Sequence, residues 1–274
     1  MKKQVSDTSP VLYLISTPIG NLKDITFRAI ETLQMVDVIY AEDTRVTLKL
    51  LNHYNIKKPL KTYHSHNEDV ATKEIINDLT EGLNVGLVTD AGTPGISDPG
   101  FHLVRSVKED FPVVSIPGAS AVLTALVSSG LIPQPFTFVG FLDRKKNKRI
   151  EMLKRFDMPH TVVFYERADR VLEVLSSMEF VYGMREVVIA RELTKKFETY
   201  YRFNLGDDVS EIELKGEFVI MVSGRKDEIK VDIISEVNKL IENGLSKSDA
   251  IKAVATFYKI PRNDVYQEVI KHEK

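Results

Sequence analysis

The sequence predicts an α/β protein built from two α/β domains and a small helical unit at the C-terminal end. Three observations predict it. From Val11 to about Gly130, short apolar runs alternate with helix-patterned segments, the rhythm of a mostly parallel sheet with helices on its faces. From Pro135 to about Gly224 the apolar runs continue but the helices thin out, as in a mixed sheet. Beyond that only helix-patterned segments remain. The expected divisions are a flexible N-terminus over 1–10, a first domain over 11–130, a second over 135–225 and a helix-turn-helix-like unit over 229–274.

The elements follow in order. "VLYLIS" is the first strand, and Asp24 or Thr26 caps a helix carrying Phe27, Ile30 and Leu33. "VDVIYA" is the second strand, followed by a helix capped at Asp43 or Thr44 and containing Val46, Leu50 and Leu51. A polar stretch, "TYHSHNED", precedes a helix to about Thr80. "NVGLVT" and "PVVSI" are strands, each followed by a Gly/Pro loop and a helix; Pro99 is expected at the first helical position with Ser97 or Asp98 as its cap. Gly130, Pro133 and Pro135 mark a linker. The second domain has five strand-like runs, with helices over Lys148 to Arg155 and Asp169 to Met178, and short connections that predict antiparallel pairing among its last three runs. Lys230 to Asn243, Lys247 to Tyr258 and Arg262 to Lys271 are the helices of the tail.

Composition excludes several classes. The 274 residues are 43% hydrophobic and 28% charged, as in a globular protein with a substantial core. There is no cysteine, which removes disulfides, thiolate metal sites and a cysteine nucleophile and fits a reducing cytoplasm. No apolar run approaches the ~18 residues of a membrane span, and no signal-peptide core follows the first lysines. With a net charge of -2, any nucleic acid must be met by local basic patches.

Chemistry concentrates in three loops expected at the carboxyl ends of parallel strands, where open sheets bind ligands: "TPIGN", "DAGTPGISDPG" and "PGASA". Glycine allows a ligand close to the backbone, and proline presets the loop. The loops contain no lysine, no G-x-x-x-x-G-K-[ST] and no G-x-G-x-x-G, so a polyphosphate or dinucleotide cradle is not expected. The charged groups within them, Asp90 and Asp98, suit a ligand with a cationic amine and ribose hydroxyls, such as S-adenosylmethionine.

These loops, together with "STPIGNLKDIT", "AEDTR", "HSHNE", "FVGFL", "YER", "ARELTK" and "KGE", resemble the tetrapyrrole methylase superfamily, and within it the branch that methylates ribosomal RNA. The resemblance covers nearly the whole chain. It implies two α/β domains, a homodimer, S-adenosylmethionine in the cleft between the domains, and 2'-O-methylation of a decoding-centre cytidine in 16S rRNA of the small ribosomal subunit. The cofactor residues would be Pro18, Ile19, Gly20, Asp90, Gly92, Thr93, Pro94, Gly95, Ile96, Asp98, Ser120, Ala121, Tyr165 and Ala190. Porphyrin-ring methylases usually carry Gly-Asp-Pro where this chain has Gly92-Thr93-Pro94, which favours the ribosomal branch.

A hydroxyl nucleophile calls for a proton acceptor. Glu42, Asp43, His64 and Glu166 are the candidates, with His66 beside His64; Asp43 reads equally as a helix cap and Glu42 as a partner of Arg45. The His64–His66 spacing matches no strong metal signature, and no metal is expected. The run Arg144, Lys145, Lys146, Lys148 and Arg149, with Arg191 and Lys195, are candidate RNA-phosphate contacts. A small-molecule methylase of the same fold and a non-catalytic nucleic-acid-binding protein remain as alternatives.

Overall fold

The computed structural model describes residues 10–225, 232–258 and 260–272, so all but the last residue of the N-terminus expected to be flexible over 1–10, and the first residues of the tail, lie outside the described residues. The chain divides into a compact unit over Met1–Arg225 and a second over Lys226–Lys274.

The first sheet contains β1 (Leu12–Ile15), β2 (Val38–Ala41), β3 (Leu60–Thr62), β4 (Val85–Val88) and β5 (Val113–Ile116) in the order β3-β2-β4-β1-β5. Every pairing is parallel. Helices α1 (Phe27–Met35), α2 (Thr44–His53), α3 (Glu68–Thr80), α4 (Phe101–Val107) and α5 (Ala121–Ser129) follow β1 to β5 in turn. Both faces of the sheet are covered, which is why its strands are nearly uninterrupted apolar runs. Leu12, Tyr40, Val85 and Leu87 pack against Ile75 and Leu79 of α3 and Leu103 of α4. Ile15, Ile39 and Val88 pack against Ala29 and Leu33 of α1 and Leu51 of α2.

The helix starts differ in detail from the sequence reading. Thr26 caps α1 through its side chain, but Phe27 is 88% exposed; Ala29, Thr32 and Leu33 form the inner face. Asp43 caps α2, and Val46 faces outward. Pro99 stands outside α4, whose N-cap is Gly100, because Ser97 at φ +64° breaks the helical path two residues before Pro99. Strand β3 was not expected: at three residues it is too short to show a period.

The second sheet contains β6 (Phe136–Phe141), β7 (Thr161–Arg167), β8 (Glu186–Arg191), β9 (Thr199–Asn204) and β10 (Glu217–Val222) in the order β6-β7-β10-β8-β9. Only β6–β7 is parallel. The last strand does not pair with β9, as adjacency in sequence suggests, but enters between β7 and β8. Helices α6 (Lys146–Arg155) and α7 (Val171–Tyr182) cover one face. The other face receives Val122, Ala125 and Leu126 of α5, packed against Val163, Val188, Ala190 and Val219. The helix after the first sheet thus helps to close the second, and both sheets share one compact unit.

The tail is a three-helix unit of α8 (Ile233–Glu242), α9 (Lys247–Tyr258) and α10 (Arg262–His272) around Val237, Ile251, Val254, Val265 and Val269. The Ser246 hydroxyl accepts the Asp249 N–H at 3.2 Å and donates to the Asp249 carboxylate at 2.6 Å, fixing the start of α9.

Candidate active site

Because β4, β1 and β5 are adjacent and parallel, the three special loops leave the sheet side by side at its carboxyl edge. They are tied together. Thr17 and Gly92 exchange backbone hydrogen bonds at 2.8 and 3.2 Å, and the Thr17 hydroxyl donates to the Thr89 carbonyl at 3.1 Å. The hydroxyls of Ser16 and Thr93 meet at 3.0 Å. Gly92 adopts φ +85°, a conformation that a side chain would strain. At Gly118 a Cβ would stand 2.7 Å from the Ser16 Cβ, so the third loop can close on β1 only as glycine.

Between these loops and the second sheet lies a cavity of about 490 Å³. One wall contains Ile19, Gly92, Thr93, Ile96, Asp98, Ser120 and Ala121. The facing wall contains Phe141 at the end of β6, Tyr165, Glu166 and Arg167 at the end of β7, Leu193, and Gly216 to Val219 at the start of β10. The size suits a ligand such as a nucleoside joined to an amino acid. Close-approach glycines, hydroxyls on Ser16, Thr93, Ser115 and Ser120 and aromatic rings fit its apolar and hydroxyl groups.

Several expected cofactor residues lie away from the wall. Pro18 is buried behind it, and Gly20 abuts Thr194 and Lys195. Asp90 is turned outward, where it accepts the Asp43 N–H at 3.0 Å. Pro94 and Gly95 do not line the cavity. Ala190 is 0% exposed and packs in the core beneath α5, an orientation that follows from how the second sheet packs. The β10 residues were missed as liners because their position depends on insertion between β7 and β8. "KGE" was the one sequence signal pointing there.

The cavity has an acidic pole. The Thr89 hydroxyl donates to Glu42 at 2.8 Å. Burial, then Glu42 and Asp90, push the Asp98 carboxyl up to about 7, with the nearby Thr89 hydroxyl acting to lower it. Burial holds the Tyr165 phenol up at about 12. Glu166 is 3% exposed and raised by burial; its carboxylate accepts the Arg167 N–H at 2.9 Å and faces Arg170 at 3.4 Å.

The remaining candidates fall into place by their partners. Asp43 is the α2 cap and is gripped by Arg45 at 2.6 Å, which lowers its pKa to about 2; Arg45 does not pair with Glu42 as the sequence suggested. His64 and His66 lie outside the cavity wall with ring centroids 6.0 Å apart. Among the described residues no group of three His, Asp or Glu side chains could hold a metal ion.

Arg144, Lys145, Lys146 and Lys148 are exposed around the start of α6. Arg149 is not a phosphate contact. It is 0% exposed and donates to Ser177, Glu173 and the carbonyls of Asp143 and Arg144, because its helical position points into α7. Arg191 is likewise buried and donates to the Lys215 carbonyl, with Glu213 at 2.9 Å. Lys195 is committed to Glu192 and Glu217 at 2.9 and 2.8 Å. The sequence shows charge but not which way a helix or strand turns it.

A parallel sheet whose glycine loops face a mixed sheet across a cavity is a two-sheet α/β architecture, and the comparisons with known proteins name its class. The family Tetrapyrrole (Corrin/Porphyrin) Methylases matches residues 11–207. "Ribosomal RNA small subunit methyltransferase I" of Halalkalibacterium halodurans is 44% identical over 96% of each chain, and its namesake from Bacillus subtilis is 43% identical over 93% of this chain and 92% of that one. A solved uroporphyrin-III C-methyltransferase from Thermus thermophilus, complexed with S-adenyl homocysteine, shares the fold at TM-score 0.58 and 16% identity, covering 78% of this chain and 97% of that one. The chain belongs to the tetrapyrrole methylase family, alongside the relatives named ribosomal RNA small subunit methyltransferase I. It is a methyltransferase, and its cofactor is S-adenosylmethionine.

Proposed function

We propose that this chain methylates 16S rRNA of the small ribosomal subunit, at the 2'-hydroxyl of a decoding-centre cytidine, C1402. The observation that carries the reading is the three-loop cavity in a chain so close along its whole length to relatives of that name. S-adenosylmethionine supplies an activated methyl group on sulfur. Gly92, Thr93, Ile96, Ser120 and Ala121 bind it from the first sheet, and Tyr165 and Val219 exclude water from the second. Holding the acceptor oxygen in line with the methyl supplies much of the rate. Arg144, Lys145, Lys146 and Lys148 grip RNA phosphates, and the enzyme works as a cytoplasmic homodimer.

Mapping 2'-O-methyl groups in rRNA from a strain lacking the gene tests this reading. The cytidine should lose its mark, and purified enzyme should restore it on isolated subunits. An unchanged map together with inert enzyme would refute it. Turnover of a soluble tetrapyrrole instead would favour the small-molecule alternative.

A further inference from the structure

The geometry points to Asp98, a carboxylate in the cavity wall beside the glycine loops, as the proton acceptor for the ribose hydroxyl. This rests on the ribose-methylation reading above.

The other acids are spoken for. In the cavity wall, Glu166 is paired with Arg170 and Glu217 with Lys195. Asp43 is held by Arg45, and Glu42 and His64 do not reach the wall. Tyr165 reaches it, but a phenol near 12 stays protonated at neutral pH. Among the described residues lining the cavity, Asp98 is the carboxylate with no salt-bridge partner.

Its surroundings suit a base. Glu42 beyond β2, Asp90 beyond β4 and Tyr165 on β7 are the titratable groups that act on it or feel its charge; Arg45, the cation nearby, is turned to Asp43. Burial and the two carboxylates hold Asp98 near 7, where an acid is matched to accept a proton at neutral pH. In the step, the 2'-oxygen forms its bond to the methyl carbon as the carbon–sulfur bond breaks. The electron pair of that bond stays on sulfur, which becomes a neutral thioether. The hydroxyl proton passes to the Asp98 carboxylate and then to water, so one proton is released per methyl transferred.

The test compares wild type with Asp98→Asn, Asp98→Glu and Glu42→Gln. Three quantities are read: S-adenosylmethionine affinity by calorimetry, single-turnover methylation of the subunit against pH, and ¹³C carboxyl NMR titration of the protein without cofactor. Asp98→Asn should lower the maximal rate by about 100-fold or more while cofactor affinity stays within about threefold. Asp98→Glu should recover part of the rate. The wild-type rate should rise with pH to a plateau, with its midpoint at or below that of one NMR titration that Asp98→Asn abolishes, because the cationic cofactor lowers a neighbouring carboxyl. Glu42→Gln removes a like charge, so it should move both curves to lower pH, a shift that a purely structural role would not produce.

An unimpaired Asp98→Asn enzyme overturns the proposal, as does lost cofactor affinity with an intact saturated rate, or a wild-type Asp98 that titrates near 4. A wild type inert on the subunit overturns the ribose-methylation reading and this proposal with it. An active wild type beside an unimpaired variant overturns the proposal alone.

Discussion

Replacing Arg149 by alanine should damage the fold far more than it damages the grip on RNA. The guanidinium donates to the Ser177 hydroxyl at 3.0 Å, to the Asp143 and Arg144 carbonyls at 3.3 and 3.1 Å, and to Glu173 at 2.5 Å. Not all of these losses count equally. The Glu173 side chain is 55% exposed and rehydrates, and the Ser177 hydroxyl keeps its bond to the Glu173 carbonyl. The cost therefore falls on two partly buried carbonyls and on the void left by the side chain. Removing one partner of a buried charged network costs about 3–5 kcal/mol, and the water open to Glu173 places this case near the lower end. At about 2–4 °C per kcal/mol for a unit of this size, the melting temperature should fall by roughly 10 °C. Lysine should recover part of the loss, since it keeps the charge but not the planar fork. Thermal unfolding by circular dichroism measures the effect, with RNA affinity measured at several salt concentrations beside it. A variant that melts with wild type but binds RNA with a shallower salt dependence would refute the reasoning and return Arg149 to the RNA-contacting set.

Replacing Lys145, Lys146 and Lys148 together by alanine should leave melting unchanged. It should flatten the slope of log affinity against log salt by about 2 if each meets one phosphate of single-stranded RNA, as filter binding would show. Gly118→Ala places a methyl 2.7 Å from the Ser16 Cβ, so it should force the third loop away from β1 and weaken S-adenosylmethionine binding at least tenfold by calorimetry. For Asp98 the folded pKa is raised to about 7 from 3.8, so its favourable contribution is complete below about 4 and is lost as pH rises through 7. Asp98→Asn should therefore melt above wild type at pH 8, with the gap closing toward pH 4; a pH-independent difference would contradict the burial argument.

The alternation of strands and helices was legible because both sheets are buried on two faces, which leaves apolar runs that local pattern detects. The three ligand loops were legible for a related reason. Backbone that must pass through φ +85° at Gly92, or approach a neighbouring strand at Gly118, leaves glycine in the sequence wherever the chain goes next. Motifs of that kind carried the family as well.

What only the tertiary structure decided is where long-range partners meet. That Arg149 and Arg191 turn inward, while Arg144 and Lys145 stay in water, depends on α7 and on the Lys215 segment, distant in sequence. That β10 enters between β7 and β8, bringing Phe218 and Val219 to the cavity and leaving Ala190 under α5, is a choice of pairing that no local pattern encodes. Most of all, Asp98 acquires its character from burial and then from Glu42 and Asp90, which are brought together because β2 and β4 are neighbours in the folded sheet. Residue type and spacing determine which groups are present; burial and the charges folded against them determine what each group does.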